Sequence, residues 1–282
     1  MSLMNKISLG QFIPGESYVH RLDPRCKIIV TFILLIGLFT ADAPLDFLPW
    51  LALLFVISRL AGIPMKTVLR SARPVWFLVA ITVLLNLFWT PGREVFRWGF
   101  FRVTEEGLVV AFCMGTRLFF LVVFAGMLMM TTSPMAFSDG LERILAPLAR
   151  LRLPVSEMSM MMTIALRFIP TLFEETDRIL KAQISRGADF ESGGLLKRAR
   201  SFIPVLIPLF VLVFQRAENL AVAMESRCYV PGAARTRMRP LVWDMADSVA
   251  LISIVAFILF ASFFEELLTR LSVANPWIFI AK

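Results

Sequence analysis

The chain has 282 residues, of which 58% are hydrophobic and 18% charged, and it carries a net charge of +8. A soluble domain of this length has no interior large enough for so many Leu, Phe, Met and Val, so the composition excludes an ordinary water-soluble protein and points to a bilayer. A basic balance can mark nucleic-acid binding, but beside such apolar runs it reads as the Lys and Arg that collect in cytoplasmic loops. Membrane lipid is therefore an expected partner and nucleic acid is not.

A membrane span needs about 20 mostly apolar residues. The expected spans, in chain order, are roughly Cys26–Ala41, Phe47–Gly62, Pro74–Thr90, Leu108–Met130 and Trp243–Phe264, the first two being short. Ile28–Phe39 followed by Ala41-Asp42-Ala43 has the form of a signal peptide, but it starts late and another apolar run follows at once, so it reads as a span. Asp23-Pro24 makes a good helix start, with Asp23 as cap and Pro24 in the first helical position.

The loops set the orientation. Lys6, Arg21, Arg25 and Lys27 precede the first span, and Arg59, Lys66, Arg70 and Arg73 lie between the second and third. The first connection carries only Asp42 and Asp46, and the third, Pro91–Gly107, is balanced. The positive-inside rule then places the N-terminus in the cytoplasm and the C-terminus outside, with five spans. The long stretch 131–242, with fifteen Lys or Arg against ten Asp or Glu, becomes cytoplasmic.

That stretch reads as helical. Asp139 and Glu142 are expected to open a short helix, and Leu153-Pro154 to close the connection after it. A long helix follows from Val155 to Ser185, supported by Glu174–Arg178 and Asp177–Lys181 pairs and stopped by Gly187. Another runs from Leu195 to Ser226, bent near Pro204 and Pro208. Its apolar middle, Phe202–Phe214, is short for a span and either lies against the membrane's inner face, packs on other helices, turns back as a re-entrant hairpin or forms part of a sixth and seventh span.

Little in the chain can do chemistry. Cys26, Cys113 and Cys228 lie far apart without a CxxC, and His20 is the one histidine, so no disulfide framework, metal site or cofactor is expected. No GxxxxGK[ST] phosphate loop is present, and Gly193-Gly194 is too isolated to suggest one. The spans lack central carboxylates for ion coupling, Asp244 and Asp247 standing at a span's cytoplasmic mouth. No catalytic residue is assigned, and the energy for any transport must come from another subunit. Arg117 is the one charge well inside an expected span. It is either a structural pin in the helix bundle or a docking point for a second subunit. The run Met158, Met160, Met161 and Met162 is either core packing or an adaptable contact surface.

The most informative feature is a duplication. Ala182-Gln183-Ile184-Ser185-Arg186-Gly187 and Ala223-Met224-Glu225-Ser226-Arg227-Cys228 share a six-residue frame at the ends of the two long helices. A single arginine there reads as a favourable charge on the helix dipole. Two in one frame also suit docking, because an arginine fork on a rigid helix end makes bidentate bonds to carboxylates or carbonyls in a groove.

These residues resemble the transmembrane T component of energy-coupling factor (ECF) transporters, the EcfT family with its CbiQ- and BioN-like members, over nearly the full length. The resemblance rests on the Gly15-Glu16-Ser17 to Lys27 opening, Thr131-Thr132-Ser133-Pro134, Ala165-Leu166-Arg167-Phe168-Ile169-Pro170, and the two arginine tripeptides. The family's tripeptides usually read Ala-Arg-Gly. Serine replaces alanine in both here, and Cys228 replaces the second glycine, while Arg186 and Arg227 are kept.

The resemblance implies an all-α integral membrane protein of the bacterial cell membrane, a non-catalytic scaffold with long cytoplasmic coupling helices between the fourth and fifth spans. The expected parts are an N-terminal membrane domain of four spans (1–130), a coupling-helix domain (131–242) and a C-terminal transmembrane helix and tail (243–282). Ser185, Arg186, Gly187, Ser226, Arg227 and Cys228 would couple to two ABC-type ATPase subunits. A separate substrate-binding S component would bring the vitamin or micronutrient. The alternatives are a T component dedicated to one substrate, biotin or cobalt, and a conventional ABC permease with its own substrate path.

Overall fold

The computed structural model describes residues 12–98, 101–147, 154–190, 194–231 and 241–274. Lys6, Leu153 and Gly193 lie outside the described residues. The chain folds as two compact units, one built from residues between Gln11 and Gly140 and from Leu241 onward, the other from residues between Leu141 and Pro240.

In the first unit, α1 (Tyr18–Arg21) leads into α2 (Pro24–Gly37), which tightens into a 3-10 turn over Leu38–Thr40. Next come α3 (Phe47–Ala61), α4 (Met65–Ser71) and α5 (Trp76–Trp89). The connection after α5 is an antiparallel hairpin of β1 (Glu94–Trp98) and β2 (Phe101–Thr104), with Arg97 opposite Arg102. The sequence analysis reads this stretch as a charge-balanced connection, although its Val, Phe, Trp and Thr residues favour strands. α6 (Glu105–Thr131) follows, and α11 (Met245–Ala274) returns to complete the unit. Thr104 caps α6 by accepting a hydrogen bond from the Gly107 N–H at 3.0 Å.

The core is aromatic. Trp50 and Phe120 are almost wholly buried, and Trp50 meets Phe124 and Phe257 edge-on, the latter at 5.3 Å between ring centres. Small residues let the helix axes approach. A Cβ on Gly37 would stand 2.8 Å from Ile258 of α11, and one on Gly115 would stand 2.7 Å from Val83 of α5.

Among the described residues, five helical stretches are long and apolar enough to cross a membrane: Pro44–Ala61, Met65–Trp89, Glu105–Thr131, Ile203–Glu225 and Met245–Leu267. The number agrees with the sequence reading and the membership does not. The expected first span is α2, whose 14 α-helical residues rise only about 21 Å. The segment expected to be too short, around Phe202–Phe214, belongs instead to an uninterrupted helix of 23 residues. The helix passes through Pro208, as expected, and its full length from Ile203 to Glu225, not the run Phe202–Phe214 alone, is what suffices to cross.

One end of α2 is held by a network of charges. The Asp23 side chain caps α2 by accepting from the Arg25 N–H at 2.8 Å, and it also accepts the Arg25 guanidinium. The Asp23 N–H donates to the Asp247 carboxylate at 2.8 Å, and the Asp244 N–H donates to its other oxygen at 2.9 Å. Asp247 is 2% exposed. Lys27 donates to the carbonyls of His20 and Thr131, and Arg25 reaches the Leu241 carbonyl and lies over Trp243. Burial works to raise the Asp23 carboxyl, but the Arg25 side-chain and backbone hydrogen bonds, with the charges of Arg25 and Lys27, outweigh it and hold the group below the usual carboxylate range.

Asp247 thus joins the starts of α2 and α11 by two backbone bonds. Asp247→Ala is expected to destabilise the unit by about 1–3 kcal/mol, since the buried Asp23 N–H and the more exposed Asp244 N–H lose a charged acceptor. Asp247→Asn should cost less. Thermal unfolding of the detergent-solubilised protein measures both, and equal melting temperatures for wild type and Asp247→Ala would remove this network from the fold's stability.

Candidate functional site

The second unit begins in α7 (Pro134–Leu145), which starts five residues before Asp139, so Asp139 and Glu142 sit within the helix rather than opening it. Ser133 supplies the start, its Oγ accepting from the Ala136 N–H. Inside the unit, the Ser159 hydroxyl donates to the Glu142 carboxylate. α8 runs over Val155–Ser185, 31 residues, as the sequence led us to expect. α9 (Leu195–Ser201) and α10 (Ile203–Glu225) are separate helices, interrupted at Phe202, because Pro204 has no N–H to continue the ladder.

α8 and α10 pack against each other. Arg216 of α10 donates to Glu175 Oε1 at 3.1 Å, and Arg178 reaches the same carboxylate's Oε2 at 3.3 Å. Arg178 therefore pairs with Glu175 and not, as the four-residue spacing suggested, with Glu174. Glu175 faces α10 and gathers both guanidinium groups. Lys181 and Asp177 form the expected pair at 2.8 Å. Farther along, the Gln183 amide donates to the Pro204 carbonyl, so the two helices run in opposite directions.

The ends of α8 and α10 share one backbone geometry. At the first, the Gly187 N–H donates to the Ile184 carbonyl at 2.9 Å and the Ala188 N–H to the Gln183 carbonyl at 3.0 Å. At the second, the Cys228 N–H donates to Glu225 at 2.9 Å and the Tyr229 N–H to Met224 at 3.0 Å. Both are Schellman caps, in which a left-handed residue turns the chain so that its own N–H and that of the next residue satisfy carbonyls of the helix's last turn. Gly187 has φ +87° and Cys228 has φ +57°. The shared six-residue frame is the sequence of this cap. Its serines bond backward, Ser185 to the Lys181 carbonyl and Ser226 to the Ala223 carbonyl.

Arg186 and Arg227 occupy the same cap position, immediately before the left-handed residue. All six residues of the two tripeptides are exposed. Among the described residues, neither the Arg186 nor the Arg227 guanidinium has a hydrogen bond or ion pair. The helix dipole favours a cation there without consuming its donors. Each tip is therefore a rigid, backbone-locked end carrying an unengaged arginine fork.

Arg117 is held differently. Its guanidinium donates to the Ala41 carbonyl and to Asp42 at 3.2 Å and lies over the Phe39 ring, while its Nε is buried without a partner. The methionines of α8 are not interior. Met158, Met161 and Met162 are each more than half exposed, an adaptable surface instead of packed core. Ile203, Ile207, Phe210 and Phe214 add an exposed apolar stripe along α10. Sequence reasoning missed the Asp247 network and Arg216. Arg216, the one basic residue of α10, was the available signal.

This is a multi-pass helical membrane protein with paired long helices that end in matched cationic caps. The family described as cobalt transport protein, CbiQ, matches residues 15–238. The energy-coupling factor transporter transmembrane protein EcfT of Thermanaerovibrio acidaminovorans is 59% identical over 251 residues, 89% of this chain and 93% of that protein. The EcfT proteins of Acidaminococcus fermentans (44% over 260 residues, 92% and 97%) and Bacillus subtilis (42% over 255 residues, 90% and 96%) are similar to it across a like span. The chain belongs to the EcfT/CbiQ family: it is the transmembrane component of an ECF transporter, a non-catalytic transporter subunit.

The cap geometry gives opposite expectations at its two left-handed positions. A Cβ at Gly187 would meet no atom within 4 Å, so Gly187→Ala acts through backbone strain alone and should weaken that tip by about 1 kcal/mol. Cys228→Gly should strengthen the other by a similar amount. Amide hydrogen exchange at Ala188 and Tyr229 should change roughly fivefold in opposite senses.

Proposed function

We propose that the two arginine caps are the points at which two ABC-type ATPase subunits engage this chain, each groove receiving one tip. The observation that carries this reading is the pair of exposed, unengaged guanidinium forks on identical helix caps. A surface arginine kept for stability alone would be expected to fold back onto a neighbouring carboxylate. A fork held out by a locked backbone is preorganised for a partner's carboxylates or carbonyls, so little freedom is lost on docking. Ser185, Gly187, Ser226 and Cys228 keep the approach close. Arg117 acts as a pin that fastens α6 to the Ala41 carbonyl at the end of α2.

In this reading the N-terminus and the segment 131–242 are cytoplasmic, α10 lying along the membrane's inner face although it is long enough to cross, and residues 1–130 and 243–282, the short α2 included, supply the five spans. The protein resides in the bacterial cell membrane. A separate S component binds the vitamin or micronutrient. The apolar stripe of α10 and the methionines of α8 suit a partner that must slide, because such side chains repack at little cost. A chain serving several S components is the reading this adaptable surface favours over one dedicated to biotin or cobalt.

Arg186→Glu or Arg227→Glu is expected to reduce co-purification of the ATPase subunits in mild detergent by roughly 10- to 100-fold, the usual loss when an interface charge is reversed. The double variant should abolish uptake. Full recovery of both ATPases with the double variant would refute the proposal.

A further inference from the structure

The cap frame extends backward into the helices. Arg186 and Arg227 stand 41 positions apart, and so do Glu175 and Arg216, the residues that form the inter-helix ion pair at 3.1 Å. The same shift superposes Phe173 on Phe214, Glu174 on Gln215, Asp177 on Glu218, Ile179 on Leu220 and Ala182 on Ala223. Over Phe173–Gly187 and Phe214–Cys228 the two helices follow one frame, packed in opposite directions.

In a two-fold arrangement a residue touches its own equivalent only on the axis, since elsewhere residue i meets j while j meets i. Glu175 touches Arg216. The structure assigns this ion pair to the pseudo-two-fold axis of the coupling helices, and we propose that it is the pivot fixing where they cross. The pivot reading rests on the tips being the points of ATPase engagement.

Three observations support it. Each tip lies eleven positions beyond its pivot residue, an arm of about 16 Å on both sides. Neither arm, from Glu175 to Ser185 or from Arg216 to Glu225, contains glycine or proline, whereas the internal prolines Pro170 and Pro208 both fall before the pivot. The pair also breaks the duplication at the one position where a repeat must break. Two equivalents facing each other across an axis would carry like charge if identical, and like charges in contact repel. Opposite signs convert that contact into an attraction. Arg178 adds a second cation to Glu175, so the carboxylate is saturated from both helices.

A pin midway between equal, stiff arms makes the tips move together: rotation about it carries both through equal arcs. Without it, apolar helices slide along each other's ridges and the tip separation becomes indefinite.

The test is the distance between the arms. Spin labels at Lys181→Cys and Val222→Cys, equivalent exposed positions on the two arms short of the caps, in a Cys228→Gly background, are read by double electron–electron resonance in the full-length chain, alone and in the complex with its co-purified ATPases, with and without a non-hydrolysable ATP analogue. Wild type should give one narrow distance distribution. Glu175→Arg or Arg216→Glu should broaden it at least twofold while the ATPases still co-purify. The swap Glu175→Arg with Arg216→Glu, made with Arg178→Ala so that no third charge remains, should restore the narrow distribution. Should the reversals fail to fold, Glu175→Gln and Arg216→Gln decide in their place by the same broadening. Unchanged width in the single variants, or a swap as broad as they are, overturns the pivot. The docking reading fails separately, through ATPases retained by the Arg186 and Arg227 reversals, and the width measured on the chain alone still decides the pivot in that case.

Discussion

A charge taken out of water must be given partners, and this constraint orders the membrane unit. Asp247, nearly inaccessible, receives the Asp23 and Asp244 N–H groups. Lys27 spends its donors on the His20 and Thr131 carbonyls, and Arg117 on the Ala41 carbonyl. The lysine and the arginine latch α6 to the two ends of α2. Lys27 and Ala41 are fourteen positions apart, as are Arg117 and Thr131, so the antiparallel helices are held in register at both ends. The short α2 keeps its place by these latches, which compensate for the limited apolar surface it offers the bilayer.

The same rule makes the coupling unit informative by contrast. Glu175, Arg178 and Arg216 are gathered into one cluster, and Lys181 pairs with Asp177. Arg186 and Arg227 stand apart from this economy, exposed and unengaged at caps whose backbone is fully satisfied. Satisfaction of the backbone frees the side chain: a cap that needed the guanidinium to close the last carbonyls would have none to offer. The Schellman turn meets that need with its own N–H groups, so rigidity and availability coexist at one residue.

How much of this was legible follows from what each feature depends on. α8 was readable to the residue, because Pro154 and Gly187 punctuate it with backbone chemistry that acts locally. The Asp23-Pro24 start was readable for the same reason. The hairpin at Glu94–Thr104 was not read, because its strands are only five and four residues long and the alternation of Phe101-Arg102-Val103-Thr104 is too short a run to stand out from a charge-balanced loop. Nor was the exchange of α2 for α10 among the span-length helices: the apolar length was counted over Phe202–Phe214, while the helix stays apolar enough to cross over Ile203–Glu225. Asp247 was visible as an acid near a membrane boundary. One of its partners, the Asp244 N–H, is local, but the other, the Asp23 N–H, lies more than 200 positions away, and no local pattern announces such a pairing. Glu175 shows the limit well: helical spacing offered Arg178 two acids, Glu174 and Glu175, and only the position of α10 decides between them.

The duplication was first apparent as two tripeptides, yet its physical content lies in what differs between the copies. Backbone geometry is conserved from Ser185 to Ala188 and from Ser226 to Tyr229, even where glycine gives way to a cysteine in the left-handed region. The side chains around each arginine diverge: Ile184 precedes one and Glu225 the other, while Ala188 follows one and Tyr229 the other. A shared cap with unlike surroundings presents one kind of fork in two chemical settings. At the crossing the divergence is complete, acid against base, because identity there would be repulsive. An internal repeat folded on itself keeps its sequence where the copies face outward to similar tasks and must surrender it where they face each other.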